Sequence, residues 1–247
     1  MTKEITQFGP YTVEIWRRPY QRRMNLRVRP DGRLRVTCNR SWSLDDIRGF
    51  VDESRGFIEK RMLEIEGIRQ KYPPKQGLSG ETYLYMGERV PLDIIWSWNS
   101  RIRVRITEHG IEMVAPLRAG TDERLKAVHG FFRENARSLL HERVAARAKE
   151  MGVSPTRVSV RGQSTRWGSC SARREISLNW KLMAAPFEVM DYVIIHELAH
   201  IRHMDHSPKF WELVARNFPA YAEARRWLRA HETEIHVQFR HPGRRQK

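Results

Sequence analysis

The segment His196-Glu197-Leu198-Ala199-His200 constrains this 247-residue chain more than any other part of its sequence. The apolar run Tyr192-Val193-Ile194-Ile195 leads directly into it, which predicts an α-helix that is buried on most sides. Positions i and i+4 share one face of a helix, so both imidazoles would point to one spot. Burying two histidines and a glutamate without partners is costly, and a metal ion would supply a partner.

This spacing also predicts a chemistry. Zinc held by three protein ligands keeps a fourth position for water. Glu197 is turned by about 100° from His196 around the helix, too far to be a third ligand but near enough to take a proton from the metal-bound water. The segment therefore favours a zinc hydrolase in which Glu197 is the catalytic acid and base. The alternative is a pair of hydrogen-bonded core histidines without a metal.

The third ligand is left open between two kinds of residue. His206 stands ten positions after His196, which requires the helix to end near residue 203 and the chain to turn back. His203 tolerates the left-handed conformation that such a turn needs. A downstream carboxylate, Glu212 or Glu223, is the competing ligand. We expect His206, because a short turn constrains its position.

Further motifs surround the histidines, and together they resemble a known family. They are Thr165-Arg166-Trp167-Gly168-Ser169-Cys170-Ser171, Ile176-Ser177-Leu178-Asn179-Trp180, Pro186, Asp191 to His200, His206-Ser207 and Phe210-Trp211. This set resembles the YgjP-like metallopeptidase family, relatives of the SprT-like zinc proteases, most strongly over about residues 155 to 215. Looser resemblance extends upstream to Asp31-Gly32, Gly80-Glu81-Thr82 and Tyr85-Met86-Gly87. The resemblance implies a zincin-type catalytic domain with His196, His200 and His206 as zinc ligands and Glu197 as the acid and base.

The pattern of the whole chain predicts an α+β fold. Alternating residues at 157–161 and 175–179 predict a small antiparallel sheet beside the active-site helix, and prolines open predicted helices at 208–217 and 219–236. Upstream, two strand-turn-strand-helix patterns with helices near 44–65 and 122–151 indicate two ββα units. We therefore expect a strand-rich basic region over 1–118 and a zincin-like metallohydrolase domain over 119–247.

Several residues near the motif allow both a structural and a functional interpretation. Arg166 could stabilise an oxyanion or bind a phosphate. Tyr192 shares a helical face with His196, although a core position is the expectation. Cys170 is predicted to be a small buried residue. Four aromatic residues are predicted to pack in the core rather than form a binding cage: Trp167, Trp180, Phe210 and Trp211.

Charge and cysteine content bound the environment and the partners. The chain carries 45 Lys and Arg against 29 Asp and Glu, a net charge of +16, which makes polyanions such as nucleic acid or nucleotides candidate partners. The pattern favours a solvated basic surface over specific recognition of such a partner. Two cysteines do not indicate a disulfide scaffold. With neither a signal peptide nor a membrane helix in the pattern, we expect a soluble cytoplasmic protein.

These features favour a zinc-dependent metallopeptidase that acts on a peptide or protein substrate. A metal-dependent nucleotide phosphohydrolase or pyrophosphatase is the second hypothesis, because the positive charge suits phosphates. A nucleic-acid-associated protease is the third. The sequence contains no phosphate-binding Gly-x-x-x-x-Gly-Lys loop and no dense aspartate cluster for two magnesium ions, which weakens the second hypothesis.

Overall fold

The computed structural model describes residues 2–98, 101–163 and 166–240. It forms two compact units, Met1–Pro73 and Pro74–Lys247. The expected boundary after residue 118 differs from this division. The strands between residues 82 and 116 group with the second unit, because Leu92 and Met113 share a core with Phe132 of the long helix that follows them. Thr165 and the basic tail from His241 to Lys247 lie outside the described residues.

The first unit is a four-stranded sheet followed by two helices. Its elements are β1 (Thr2–Phe8), β2 (Tyr11–Arg17), β3 (Asn25–Val28), β4 (Leu34–Cys38), α1 (Leu44–Glu53) and α2 (Arg55–Lys71). Ser43 caps α1 by accepting a hydrogen bond from the backbone N–H of Asp46, whose carboxylate accepts one from the N–H of Ser43. The single helix expected near 44–65 is therefore two helices that meet at Ser54.

One face of this sheet forms the core of the first unit. Val13 and Ile15 of β2 and Val36 of β4 are fully buried, and they belong to one apolar cluster with Ile47 of α1 and Ile58 of α2. Side chains alternate between the two faces of a strand, so the residues between these apolar positions lie on the opposite face.

Over its described residues, the second unit contains two more sheets and four more α-helices. Its elements are β5 (Thr82–Tyr85), β6 (Glu88–Ser97), β7 (Arg103–Thr107), β8 (Gly110–Pro116), α3 (Thr121–Met151), β9 (Arg157–Arg161), β10 (Gly168–Cys170), β11 (Glu175–Asn179), a 3₁₀ turn (Trp180–Ala184), α4 (Phe187–Ala199), α5 (Pro208–Asn217) and α6 (Tyr221–Gln238). The α+β class is confirmed. None of the helices within the described ranges is both long enough and apolar enough to cross a membrane.

The two four-stranded sheets have the same topology. Their strand orders are β1-β2-β4-β3 and β5-β6-β8-β7. In each, the first and second strands are antiparallel, the second and fourth are parallel, and the third and fourth are antiparallel. A helix follows each sheet. The sequence pattern found only the last two strands and the helix of each unit, and the internal duplication stays a prediction.

The small sheet beside α4 differs from its expected pairing. Strand β11 pairs with β10 in the antiparallel sense but with β9 in the parallel sense, and the order is β10-β11-β9. The predicted antiparallel pairing of residues 157–161 with 175–179 is therefore wrong. Two neighbouring parallel strands must be joined by a crossover connection. The chain between β9 and β11 makes this connection and forms β10 on its way, which pairs with β11 on the side opposite to β9. Strand β10 is consequently an edge strand, and it packs on α4.

Helix α4 is held to α3 by a buried acidic residue. Asp191 is 3 % exposed and accepts hydrogen bonds from Arg143, with Nε at 2.6 Å, and from Arg147, with Nη2 at 2.5 Å. Burial raises the pKa of Asp191, but the hydrogen bonds from the two arginines outweigh that effect and lower it. These ion pairs fix the axial position of α4 relative to α3, and thereby the position of the two histidines at the end of α4.

Replacing Asp191 by Asn should lower the free energy of unfolding at pH 7 by about 2 to 3 kcal/mol, because charged hydrogen bonds are lost from a buried position. The pKa of Asp191 is lower in the folded chain than its ordinary 3.8. The stabilisation is thus fully present above about pH 4 and disappears as the pH falls through the folded-state pKa. Urea unfolding of both proteins at several pH values measures the difference.

The matched control is Glu212→Gln, because Glu212 forms an ion pair with Arg216 in which both side chains are at least 70 % exposed. Its effect should stay within about 0.5 kcal/mol. Equal effects of the two substitutions at pH 7 would contradict the role given to Asp191.

Candidate metal centre

The end of α4 places two of the predicted ligands next to each other. His196 lies in the last turn of the helix, and His200 is its C-terminal capping residue, with φ −63° and ψ −18°. Since this backbone is still close to helical, the two side chains keep the i, i+4 relation. Their ring centroids are 5.0 Å apart.

The chain then turns sharply and returns with the third histidine. The N–H groups of Arg202 and His203 both donate to the carbonyl of Ala199, and α5 starts at Pro208. Helix α4 therefore ends at Ala199, earlier than the expected end near residue 203. His203 is not among the described residues with positive φ, so the turn does not use the expected left-handed histidine. It brings one ligand atom of each of His196, His200 and His206 within 4.8 Å of the others.

The nitrogen positions fit a tetrahedral cation. The Nε2 atoms of His196 and His206 are 3.2 Å apart. Two nitrogens at about 2.0–2.1 Å from one tetrahedral zinc ion are separated by roughly 3.3 Å. Nδ1 of His200 lies 3.0 Å from the carbonyl oxygen of His203, which holds the proton on Nδ1 and leaves the lone pair on Nε2. Within the described part of the chain, Nδ1 of His196 is buried without a hydrogen-bond partner.

The competing carboxylate ligands are elsewhere. Glu212 pairs with Arg216, and Glu223 lies 4.0 Å from Arg226. Both carboxylates are about 70 % exposed or more. Among the described residues, the group of potential ligands that contains His196 includes neither of them. The structure thus brings His206, rather than a carboxylate, to the helix histidines.

Aromatic side chains surround the three imidazoles. Phe210 is fully buried and its ring stacks on His200, with centroids 4.6 Å apart, while it meets His196 and His206 edge to face. Trp211 lies 5.8 Å from both His196 and His206. Both residues are in α5, so this helix packs the ligands from one side. Trp180 is also in the core, against Phe239. Trp167 is half-buried and stacks on His236.

Burial keeps the imidazoles of His196 and His200 in the state that a metal requires. Burial, together with the neighbouring His200 and His206, lowers the pKa of His196 to about 4. Burial also lowers the pKa of His200. Neutral imidazole is the form that coordinates a cation, so these two side chains are ready to bind at neutral pH.

Glu197 lies beside the histidines in a buried and closely packed position. Its side chain is 6 % exposed, and burial raises its pKa to about 8, an effect that the charge of Arg166 opposes. The edge strand β10 contacts it closely at Gly168. A Cβ atom on Gly168 would lie only 2.6 Å from both Cγ and Oε1 of Glu197. The Gly of the Arg166-Trp167-Gly168-Ser169 motif therefore makes room for the carboxylate.

A cavity of about 340 Å³ opens beside His196 and Glu197, and three arginines line it: Arg166, Arg225 and Arg229. Tyr192, which meets His196 edge to face at 5.9 Å, also lines it. Sequence reasoning singled out Arg166 and Tyr192 but missed Arg225 and Arg229. Their i, i+4 spacing on the predicted helix was the available signal, but nothing in the sequence showed which way this face of the helix points.

The family profile of the YgjP-like metallopeptidase domain matches residues 22–231. This chain belongs to the YgjP-like metallopeptidase family. The family match covers all three histidines, Glu197 and most of both structural units. It confirms the resemblance predicted from the motifs, and a metallopeptidase-like hydrolase is the class of protein to which the chain belongs.

The chain was also compared with curated proteins and with solved structures. No curated protein matches the chain. Among solved structures, it is similar to the metallopeptidase zymogen of Pyrococcus abyssi abylysin, with 24 % sequence identity and a TM-score of 0.35. That similarity covers 38 % of this chain and 95 % of the other.

Replacing His206 by Ala should weaken zinc binding by at least about 100-fold, because one of three donors is lost. Competition with a chromogenic chelator measures the affinity. His203→Ala is the matched control, since it keeps the backbone carbonyl that orients His200 and should bind zinc normally. Unchanged affinity in His206→Ala, or a loss of zinc in Glu212→Ala, would contradict the proposed ligand set.

Proposed function

We propose that this protein is a zinc-dependent peptidase in which His196, His200 and His206 hold the ion. The observation that carries the proposal is the 3.2 Å approach of the Nε2 atoms of His196 and His206 beside a buried carboxylate. Three nitrogen donors suit zinc better than magnesium or calcium, which prefer oxygen. When bound, zinc would act as a Lewis acid on the scissile carbonyl and would lower the pKa of water in the site.

Glu197 is the proposed catalytic acid and base. The charge of a bound zinc ion would lower the pKa of Glu197 from the value of about 8 that burial gives it, so that the carboxylate form is available. This carboxylate takes a proton from the attacking water and delivers it to the nitrogen of the leaving amine. Burial and the close fit against Gly168 restrict the side chain to one place, so its proton-accepting oxygen needs little reorganisation during the reaction. Arg166 is proposed to stabilise negative charge that develops on the carbonyl oxygen, because it lines the same cavity.

The edge strand β10 favours a peptide as the substrate. It is the outer strand of its sheet and carries Gly168, which touches Glu197. An extended peptide can add to such an edge through main-chain hydrogen bonds. This would place a peptide bond at the site without any contact that depends on the side chains of the peptide. We further propose that the protein works in the cytoplasm, since Cys38 and Cys170 are both free thiols.

Glu197→Gln should abolish hydrolysis of unfolded casein, with a loss of roughly 100-fold or more, while the protein still binds about one zinc ion per chain. The neutral amide cannot accept the proton, but it leaves the three imidazoles unchanged. Peptide release and elemental analysis on the same samples separate the two effects. Glu212→Gln on the exposed face of α5 is the control and should be fully active. A fully active Glu197→Gln variant would remove the proposed mechanism.

Gly168→Ala should reduce the turnover by about 10- to 100-fold without loss of zinc, because the new methyl group displaces the Glu197 carboxylate. Gly130→Ala is the matched control, since a Cβ there meets nothing within 4 Å. Casein hydrolysis and zinc content are measured for both variants. Equal turnover of the two would show that Gly168 does not position Glu197.

A metal-dependent nucleotide phosphohydrolase is the second candidate, and one observation favours it. Arg166, Arg225 and Arg229 line the cavity beside the histidines, and none forms a salt bridge with a described carboxylate. Guanidinium groups bind phosphates readily. Release of phosphate or pyrophosphate from nucleoside triphosphates, lost in Arg225→Gln and in Glu197→Gln, would favour this candidate over the peptidase. Hydrolysis of casein alone would dismiss it.

A further inference from the structure

The first unit has a sheet face that its helices do not cover. Val13, Ile15 and Val36 face the helices, so Glu14, Trp16 and Arg35 lie on the opposite face. Strand pairing sets Lys3 beside Trp16, and it sets Glu14, Arg35 and Arg27 side by side in one row. We call this surface, formed by Lys3, Trp16, Arg27, Arg29, Arg33 and Arg35 around Glu14, the basic face.

A single carboxylate lies at the centre of the basic face, under several cations. Glu14 is 1 % exposed, and its oxygens are 3.3 Å from both Arg29 and Arg35, 3.6 Å from Lys3 and 4.0 Å from Arg33. One negative charge thus holds four positive side chains in fixed positions. Arg27 is exposed and adds a further charge beside Arg35. The surface keeps a large positive excess and loses little side-chain entropy when it meets an anion.

The net charge of this unit differs between the segment with the sheet and the segment with the helices. Residues 2–43 carry ten Lys and Arg against three Asp and Glu, whereas residues 44–71 carry six against seven. The segment that contains the sheet and its loops thus has a net charge of +7, and the segment that contains the helices has a net charge of −1. The positive charge of this unit therefore lies on its sheet and loops and not on its helices.

Aromatic rings lie among these charges. Trp16 on the basic face packs under the guanidinium of Arg35, 4.4 Å from the ring centroid. Tyr20, in the loop between β2 and β3, is 94 % exposed, and Arg18, Arg22 and Arg23 beside it are exposed as well. A tyrosine ring that packs on nothing in the described structure, with arginines on both sides, is suited to stack on an unpaired base.

The fold itself does not require this basic face. The sheet of β5 to β8 has the same topology, and its row equivalent to Glu14, Arg35 and Arg27 is Asp93, Glu112 and Arg105. The central position is thus an arginine in one sheet and a glutamate in the other. The second sheet gives a natural comparison in which the same architecture lacks the positive excess.

We propose that the basic face and the adjoining loop with Tyr20 bind single-stranded nucleic acid. The arginines contact successive phosphates along the sheet, and Tyr20 stacks on a base. A duplex is disfavoured because its bases are stacked on each other and are not free to stack on Tyr20. This inference does not depend on the proposed peptidase activity, since it involves only the first unit.

The test uses the full-length protein and fluorescently labelled 20-nucleotide oligo(dT) and oligo(rU), with anisotropy measured from 50 to 300 mM NaCl. Replacing the exposed pair Lys3 and Arg27 by Gln should weaken binding at least tenfold and reduce the salt slope by roughly 1.4, because two phosphate contacts are lost. Tyr20→Ala should weaken binding about fivefold or more with an unchanged salt slope, since it removes stacking but no charge. Comparison of the affinities for oligo(dT) and oligo(rU) shows whether the protein distinguishes DNA from RNA.

The matched control replaces Arg103 and Arg105 of the second sheet by Gln, which removes the same charge from the equivalent architecture and should leave binding unchanged. Thermal melting verifies that each variant is folded. Several results would overturn the proposal: no binding at 50 mM NaCl, an equal loss in the control, or tighter binding to a duplex of the same length. Equal or tighter binding to vesicles containing phosphatidylserine, lost in the same variants, would assign the face to a lipid surface instead.

Discussion

The convergence of three imidazoles on one point is the constraint on which the rest of the site depends. His196 and His206 bring two ring nitrogens to 3.2 Å. Two lone pairs at this distance repel each other unless a cation or a hydrogen-bonding proton lies between them. Packing supplies the force that holds the rings in place: Phe210 stacks on His200, and the turn after Ala199 returns His206 to the helix end. Burial then lowers the pKa of His196 and of His200, which keeps these two rings neutral and available.

The supporting structure holds α4, and with it this cluster, at two places along the helix. Near the middle of the helix, Asp191 ties it to Arg143 and Arg147 of α3. At the histidine end, the edge strand β10 approaches so closely that only glycine fits against Glu197. The end of one helix therefore carries two of the three histidines and the carboxylate. A strand without a side chain at residue 168 leaves space for both the carboxylate and a substrate. Arginines of α6 line the remaining wall of the cavity.

Much of this site could be predicted from local sequence because its central elements are local. The i, i+4 histidines, the apolar run before them and Pro208 fix helices from nearby residues alone, and α5 spans the predicted residues 208–217. The helix predicted over 219–236 begins two residues later, at Tyr221, and runs to Gln238. The turn that follows α4 was harder to predict. His203 was expected to end the helix, but the structure ends it at Ala199 by hydrogen bonds from Arg202 and His203 to one carbonyl.

The long-range features could not be predicted in the same way. The pairing of β9 with β11 is parallel, which depends on where β10 inserts and not on the alternation of either strand. The grouping of residues 82–116 with the second unit follows from packing on α3, far away in sequence. Arg225 and Arg229 reach the cavity only because α6 is rotated to face it, and a helical pattern does not specify that rotation.

Anomalous diffraction at the zinc absorption edge, from crystals grown with zinc, locates the bound ion. We expect one strong peak at about 2.0–2.1 Å from a ring nitrogen of each of His196, His200 and His206, with Glu197 not coordinated. A peak elsewhere, or one in which Glu212 or Glu223 replaces His206, would contradict it.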